Sequence, residues 1–527
     1  MGSRSKVFAA HSGSRAPQAF SSLSSWPFRL DERGRFSRTS LACLAAAGVL
    51  LGGCVPAAAG NAAPGPGELG TAELLADLIR IPSVNPPGGE GPVADRIAAE
   101  LSRAGLEVRV IPTPRSSDDD PPRAAVWARL PGRGARRPLI LLSHLDVVPA
   151  NPKDWSRPPF AGVVEDGIVY GRGALDAKGV SAVHASVLIA LAGRDERLDR
   201  DVILLATPDE ETGGLAGARY IVKQHPELLA DAEYLLTEGG SIRPAREGRE
   251  GMPPVPPLWG VTVTEKGPCW LELETRGPSG HGSAPRPGSA VPRLIEALDR
   301  VRRIESPIHV QEPVAAMFRH LAPSAPREDR EGFAALAHGL ETDSSFRRRF
   351  LANPGYNALV RNTIAITVLA SGANTNVVPG EARARLDVRL LPGEDCAEFV
   401  AALKAVIADP EVEVETLLSF PSRSSPGDTP LFDAIARVAR REDPGAVVLP
   451  RMIGGFTDAH WFRQEGIVAY GFVPRRLSRA DTRGVHGVDE AVSIQNLEAG
   501  VSTLLAIIDE LQALTPGPIA AGPPADP

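Results

Sequence analysis

The stretch PLILLSHLDVVP, residues 138–149, is apolar through Leu142 and then ends on His144 and Asp146, just before a turn. An apolar run of this length reads as a buried strand. The i, i+2 spacing places both polar side chains on one face of that strand. Two further apolar runs end in the same way: DVILLATPDEE (201–211) closes on Glu210 and Glu211, and AEYLLTEGG (232–240) closes on Glu238. LEVRVIP and AAVWARL also read as strands, and TAELLADLIRI, VADRIAAELSRAG and KGVSAVHASVLIAL read as helices between them. Strands alternating with helices predict an α/β fold, a mostly parallel sheet sandwiched by helices. Ligands in such folds sit at the carboxyl ends of the strands.

Working outward, the pattern changes near Trp270. WLELET, NTIAITVLA, EARARLDVRLL and EVEVETLL alternate with period two, and helices read in SAVPRLIEALDRV and CAEFVAALKAVIAD. This predicts an inserted α+β lid or dimerisation domain over 266–425, with a helical insertion between Pro307 and Asn362. The catalytic domain then comprises 70–265 and 426–513, closing on the helix SIQNLEAGVSTLLAIIDEL, and a disordered tail follows at 514–527.

The 527-residue chain carries a formal charge of −7, with 43% hydrophobic and 23% charged residues. Mild acidity without a basic stripe argues against a nucleic-acid partner. The amino-terminal segment differs in character. Arg33, Arg35 and Arg38 precede LACLAAAGVLLGGC (41–54), an apolar stretch the length of a signal-peptide core and too short to span a bilayer. It resembles a lipoprotein signal ending at a lipidated Cys54, with cleavage after the small residues of VPAAAG as the alternative and an over-long start left open. Residues 55–69 read as a tether. The expected location is therefore the periplasm or cell envelope, with membrane attachment through Cys54. Only Cys269 and Cys396 lie beyond this leader, too few for a disulfide framework.

His144, Asp176, Glu210, Glu211, Glu238 and, in the late loop RGVHGVDE, His486 offer carboxylate oxygens and imidazole nitrogens, the donors divalent ions prefer. Each taken singly is an ordinary turn or loop residue. Clustered carboxylates without cations would repel one another and hold their protons more tightly; a pair of divalent ions removes that conflict.

SHLDVVP, GRGALDAKG, TPDEETGG, TEGG, GPSGHGSAP, NVVPGEARARLDVRLLPG and VHGVDE occur in this order. Over roughly residues 70–512 the chain resembles the dinuclear zinc aminoacylase and carboxypeptidase family, and within it the carboxypeptidase S and N-fatty-acyl-amino-acid hydrolase branch. The resemblance implies two Zn2+ per subunit, with Co2+ or Mn2+ able to substitute. It implies His144, Asp176 and Glu238 at one metal and Glu211, His486 and the shared Asp176 at the other. Glu210 would be the general base for a metal-activated water. Asp146 would orient His144 through its other ring nitrogen, and a cis peptide would follow Asp176. His281, Asn376, Arg389 and Gly455, in the GGFTD turn, would contact substrate, and His281 could act in the neighbouring subunit of a homodimer. The implied substrates are dipeptides or N-acyl amino acids with a free carboxylate. An aminopeptidase of the same metal architecture and a non-catalytic envelope binding lipoprotein are the alternatives. Of the other histidines, His184 reads as packed and His460 as the one nearest the pocket.

Overall fold

A computed structural model describes residues 70–229, 231–248, 253–478, 481 and 484–514. The proposed leader, Cys54, the tether and the tail beyond Leu514 lie outside the described residues. No described helix is long and apolar enough to cross a membrane.

The sequence 138–149 forms the strand Arg136–His144 at the heart of a nine-stranded sheet. In sheet order the strands are Glu107–Pro112, Ala124–Leu130, Arg200–Thr207, Arg136–His144, Tyr234–Thr237, Val468–Gly471, Leu258–Glu265 and Val447–Ile453, with Ser241–Arg243 beside Leu258–Glu265. Arg136–His144 runs parallel to both its neighbours, and antiparallel pairing is found at the 107–130 edge. Both faces are covered, which is why the run reads as continuously apolar. Leu139 and Leu141 face the helices Thr71–Ile79, Gly91–Arg103, Lys178–Ala192 and Ile494–Ala513. Ile140 and Leu142 face the opposite core, with Ala218–Gln224 and Ala459–Gln464. All four leucine and isoleucine side chains are fully buried, each worth about 1.5–3 kcal/mol over exposure, so the strand end that carries His144 is rigidly anchored. The strand Leu258–Glu265, which no sequence pattern singled out, is almost as fully buried although it lies one strand in from the edge; its alternating Thr262 and Thr264 and its Gly260 hide it.

A single residue, Lys266, leads from this sheet into a second one: Thr363–Ala370, Glu381–Leu390, Gly267–Arg276 and Val412–Ser419, all antiparallel. The helices Ala290–Val301 and Cys396–Ile407 cover one face, packing on Leu271, Leu273, Ala384, Leu386 and Val388. The opposite face carries Glu272, Arg385, Asp387 and Arg389. Here Cys269 and Cys396, too few to signal a disulfide framework, form a single disulfide. Their separation of 127 residues gave no hint of it; the fold brings the first strand of this sheet against the start of its second helix. Residues 307–362 form short helices around an aromatic cluster. Phe318 meets Phe333, Phe350 and Tyr356 with ring centroids 4.8, 5.0 and 4.9 Å apart, and the cluster packs on Leu449 and Met452 of the first sheet.

Candidate metal centre

Asp146 and the turn it supports show why the chain ends its strands on acids. The Asp146 carboxylate is fully buried and accepts from the backbone N–H groups of Glu210 (3.1 Å) and Glu211 (3.0 Å) and from Asn85 Nδ2 (2.8 Å). It therefore fixes the short helical turn Glu210–Thr212 that follows the strand Arg200–Thr207. Asp209, at φ 75°, starts that turn and is held by Arg123 Nη1 at 2.6 Å and by Ala216 N at 2.8 Å. The His144 ring donates from Nδ1 to the backbone carbonyl of Asp146 at 3.0 Å, while the Asp146 carboxylate lies 3.5 Å away. The orienting acceptor is thus the Asp146 carbonyl, and the carboxylate serves the Glu210–Glu211 turn. With Nδ1 protonated, Nε2 presents its lone pair to the site.

Asp176 joins two halves. Its Oδ1 is 3.0 Å from His144 Nε2, and its Oδ2 is 3.1 Å from His486 Nε2. Glu238 lies 3.5 Å from His144 Nε2, and Glu211 lies 3.2 Å from His486 Nε2. Glu210 shares the first half, with ligand atoms of His144, Glu210 and Glu238 all within 4.8 Å of one another. The Asp176–Ala177 peptide is cis. The structure thus brings His144, Asp176, Glu210, Glu211, Glu238 and His486 together. His144 is sealed in, whereas the His486 side chain is 53% exposed and marks the open side.

Electrostatics shows what the cluster lacks. Burial, then repulsion from Glu238, pushes the Glu210 carboxyl well above the usual range. Burial also raises Glu211 and Glu238, and Asp458, whose Oδ2 accepts from Thr207 Oγ1 at 2.8 Å, is raised well above its ordinary value. The imidazoles answer in the opposite sense. His486 is pushed up to about 10 by hydrogen bonds to Asp176 and Glu211. His144 is raised although burial opposes it, because three neighbouring carboxylates, Glu238 first and then Asp146 and Asp176, favour its charge. Asp176, bonded to both rings, is held low against its burial. Glu211 Oε1 is buried with no hydrogen-bond partner. Buried carboxylates that repel, an orphaned oxygen and two inward imidazoles together fit divalent cations of the zinc type.

The other expected residues divide. Arg389 lies on the second sheet, half-buried, with Nε and Nη2 on Asp387 at 2.6 and 3.2 Å and its guanidinium over the rings of Trp270 and Phe456. Its Nη1 is buried without a hydrogen-bond partner. Phe456 belongs to the GGFTD turn, so Arg389 and the exposed Gly455 border the same region. His281 and Asn376 are neighbours on a two-stranded ribbon, Gly280–His281 with Val377–Val378, where Gly282 N donates to Asn376 O at 2.7 Å. His281 is exposed, with Nδ1 accepting from Ser283 N at 3.1 Å. Neither makes a hydrogen bond or ion pair to the carboxylate cluster among the described residues. His184 is packed as expected, held down at about 3 by burial. His460 does not line an open pocket: it is buried, donates to Thr457 O at 2.7 Å and stacks on Phe420 at 3.6 Å. Sequence reasoning missed Asn85 and Arg123, which brace the acidic turn from below. The SVNPPGG segment, with both Asn85–Pro86 and Pro86–Pro87 cis, was the one visible signal of Asn85.

Fold and site together define a metal-dependent hydrolase architecture. The family model for peptidase family M20/M25/M40 matches residues 140–510, and the chain belongs to that family. The N-fatty-acyl-amino acid synthase/hydrolase of Xenopus tropicalis is 30% identical over 379 residues, spanning 70% of this chain and 72% of its own. A probable carboxypeptidase S-like protein of Dictyostelium discoideum is 30% identical over 373 residues, 68% of this chain and 69% of its own. Among solved structures, an M20 family metallo-carboxypeptidase from Sulfolobus solfataricus shares the fold at a TM-score of 0.64 and 20% identity, covering 84% of this chain and 99% of that one. The protein is a metallopeptidase-family enzyme and a hydrolase of amide bonds.

Proposed function

We propose that the protein hydrolyses the amide bond of small substrates that carry a free carboxylate, N-acyl amino acids or dipeptides, at a centre of two divalent ions, zinc as first choice. The observation that carries this is Asp176, one oxygen on His144 and the other on His486, with Glu210 buried alongside. His144, Asp176 and Glu238 would hold one ion; Asp176, Glu211 and His486 the other. Bound there, the ions supply Lewis acidity toward the scissile carbonyl and lower the pKa of water. Glu210 acts as the general base. Its raised pKa suits a group that takes a proton from the attacking water and returns it to the leaving amine. Asp146 keeps Glu210 and Glu211 in place through their backbone N–H groups. Arg389, with one N–H unspent, serves the substrate carboxylate; Asn376 and Gly455 border the substrate, and His281 donates to the developing oxyanion. Because His281 makes no contact with the cluster of its own chain, delivery across a homodimer formed through the second sheet is the favoured arrangement. The names of the relatives support the acyl-amino-acid reading over the aminopeptidase one.

The test is a panel of N-acyl amino acids, their carboxamides and dipeptides, assayed metal-loaded and chelated. Chelator-sensitive cleavage of the free acids is expected, with Arg389→Met raising KM for acids but not for amides. Equal turnover of acids and amides would remove Arg389 from this role. We also place the chain in the exported, lipid-anchored class, which the Cys269–Cys396 disulfide supports, since such bonds persist in oxidising compartments. Chain recovered from cells lysed with thiols blocked is expected to be oxidised at both cysteines and to incorporate labelled palmitate unless Cys54 is replaced by Ser. Free thiols and an unlabelled chain would place it in the cytosol.

A further inference from the structure

We propose that Glu490 is a positioning residue for the metal centre. Its carboxylate holds the loop that presents Asp176 and ties that loop to the one that presents His486. The inference rests on the metal-centre reading above and adds a residue outside the ligand set.

The Glu490 side chain is fully buried. One oxygen accepts from the backbone N–H groups of Leu175 (2.6 Å) and Asp176 itself (3.0 Å). The other accepts from the Gly173 N–H (3.0 Å) and from Arg172 Nη1 (2.7 Å). A buried carboxylate needs several donors to replace its water, and here three of the four are main-chain groups of a single loop. Satisfying the charge does not require those donors to come from one segment. Instead the carboxylate spans residues 172–176 and ends on the residue whose two oxygens face both imidazoles.

The other end of the clasp is the His486 loop. Gly171 N donates to the Glu490 carbonyl at 2.9 Å. Arg172 Nη2 donates to Gly487 O at 2.9 Å. Ser156 donates to Asp489 Oδ1 from N at 2.8 Å and from Oγ at 2.9 Å. Directly beyond Glu490, the strand Ala491–Ser493 pairs with Ile168–Tyr170, Ala491 opposite Tyr170. Both ligand loops therefore leave the same small sheet and are fastened again by Glu490 and Arg172. The separation of His486 from Asp176 is set by this clasp.

Glu490→Gln keeps the volume but turns an amide NH2 toward donors that need an acceptor. Glu490→Asp keeps the charge but shortens the reach. Full-length protein stripped of metal is titrated with Co2+ under chelator competition, following the visible absorption of the bound ion, with thermal melts in parallel. Glu490→Gln is expected to bind Co2+ about 10- to 100-fold more weakly, with shifted absorption bands. A core variant of matching thermal loss, Leu101→Ala, is expected to keep wild-type affinity and spectrum. Unchanged affinity and spectrum in Glu490→Gln would overturn the inference and leave the metal centre standing; if that variant does not fold, Glu490→Asp is judged by the same two readouts. Wild-type protein that binds no Co2+ would overturn the metal-centre reading and this inference with it.

Discussion

Glu210→Gln is expected to lower kcat by about 10²- to 10⁴-fold, the usual share of a general base, while the metal-free protein melts no lower than wild type. Both halves follow from one fact. The Glu210 carboxyl is raised by its burial and by Glu238, with Asp458 and Glu211 adding to the repulsion. A charge the fold disfavours is useful chemically, because it accepts a proton readily, and unhelpful structurally. The neutral amide abolishes the first property and relieves the second. The check is kcat on the best substrate of the panel beside a calorimetric melt of the chelated proteins. Activity within tenfold of wild type would remove Glu210 as the base. A large fall in melting temperature would mean that its charge is compensated in a way the site does not display.

The second large effect concerns pH. Glu210, Glu211 and Glu238 have folded-state values above their ordinary 4.5. The metal-free fold therefore holds protons that the unfolded chain has released, and stability falls as pH rises above about 4.5. His144 and His486 are also raised, His486 to about 10. Their contribution is complete below 6.5 and is lost as pH climbs above it, for His486 toward 10. Asp176 is lowered and works the other way, but only as pH falls below about 3.8. Within pH 5–9 these five groups lower stability as pH increases, while buried His184 and His460, held down at about 3, and Lys178 and Lys266, lowered to about 7, act the other way, so the site's own share is read from the difference between metal-loaded and chelated melts. Cation binding needs these ligands deprotonated and stabilises by mass action, about 4 kcal/mol at a thousandfold excess over Kd. The gap between metal-loaded and chelated melts should widen with pH. A gap that narrows from pH 5 to 9 would contradict the proton assignments.

The strand ends were legible because two independent signals coincide there: an unbroken apolar run, and then a residue type that no buried strand end needs. That coincidence made His144, Glu210, Glu211 and Glu238 readable; Asp176 and His486 were candidates by residue type, and the family resemblance gave them their places at the two ions. The alternating burial of Glu381–Leu390 was legible for a similar reason, its charged face being open and its small and branched face covered. Glu490 was not legible, although it stands in a motif that was read. Its partners are main-chain N–H groups, which every residue has, so nothing in the letters distinguishes a clasp from a solvated acid. Arg123 was hidden because its side-chain partners Asp209 and Asn85 lie 86 and 38 residues away in the chain, and the pairing of Cys269 with Cys396 depends on a contact that only the folded second sheet creates. His460 shows the opposite error: closeness in sequence to the GGFTD turn suggested the pocket, but the ring spends its face on Phe420.

The two sheets meet through Lys266 and the return stretch near Phe420. Lys266 is buried, and its Nζ donates to Arg361 O and Thr363 Oγ1, each at 2.9 Å. Beside it Glu265 is paired with Arg463 at 3.0 Å. Everything that would touch an ion hangs from the first sheet or from the small sheet of Ile168–Tyr170 and Ala491–Ser493, whereas Arg389 lies on the second sheet and His281 and Asn376 on the ribbon beyond it. Inheritance can therefore treat the two as separate instruments. On the roles proposed above, substitutions on the second sheet would retune which substrate is accepted without disturbing the chemistry, and this narrow buried joint is the part a lineage would have to keep while its diet changes.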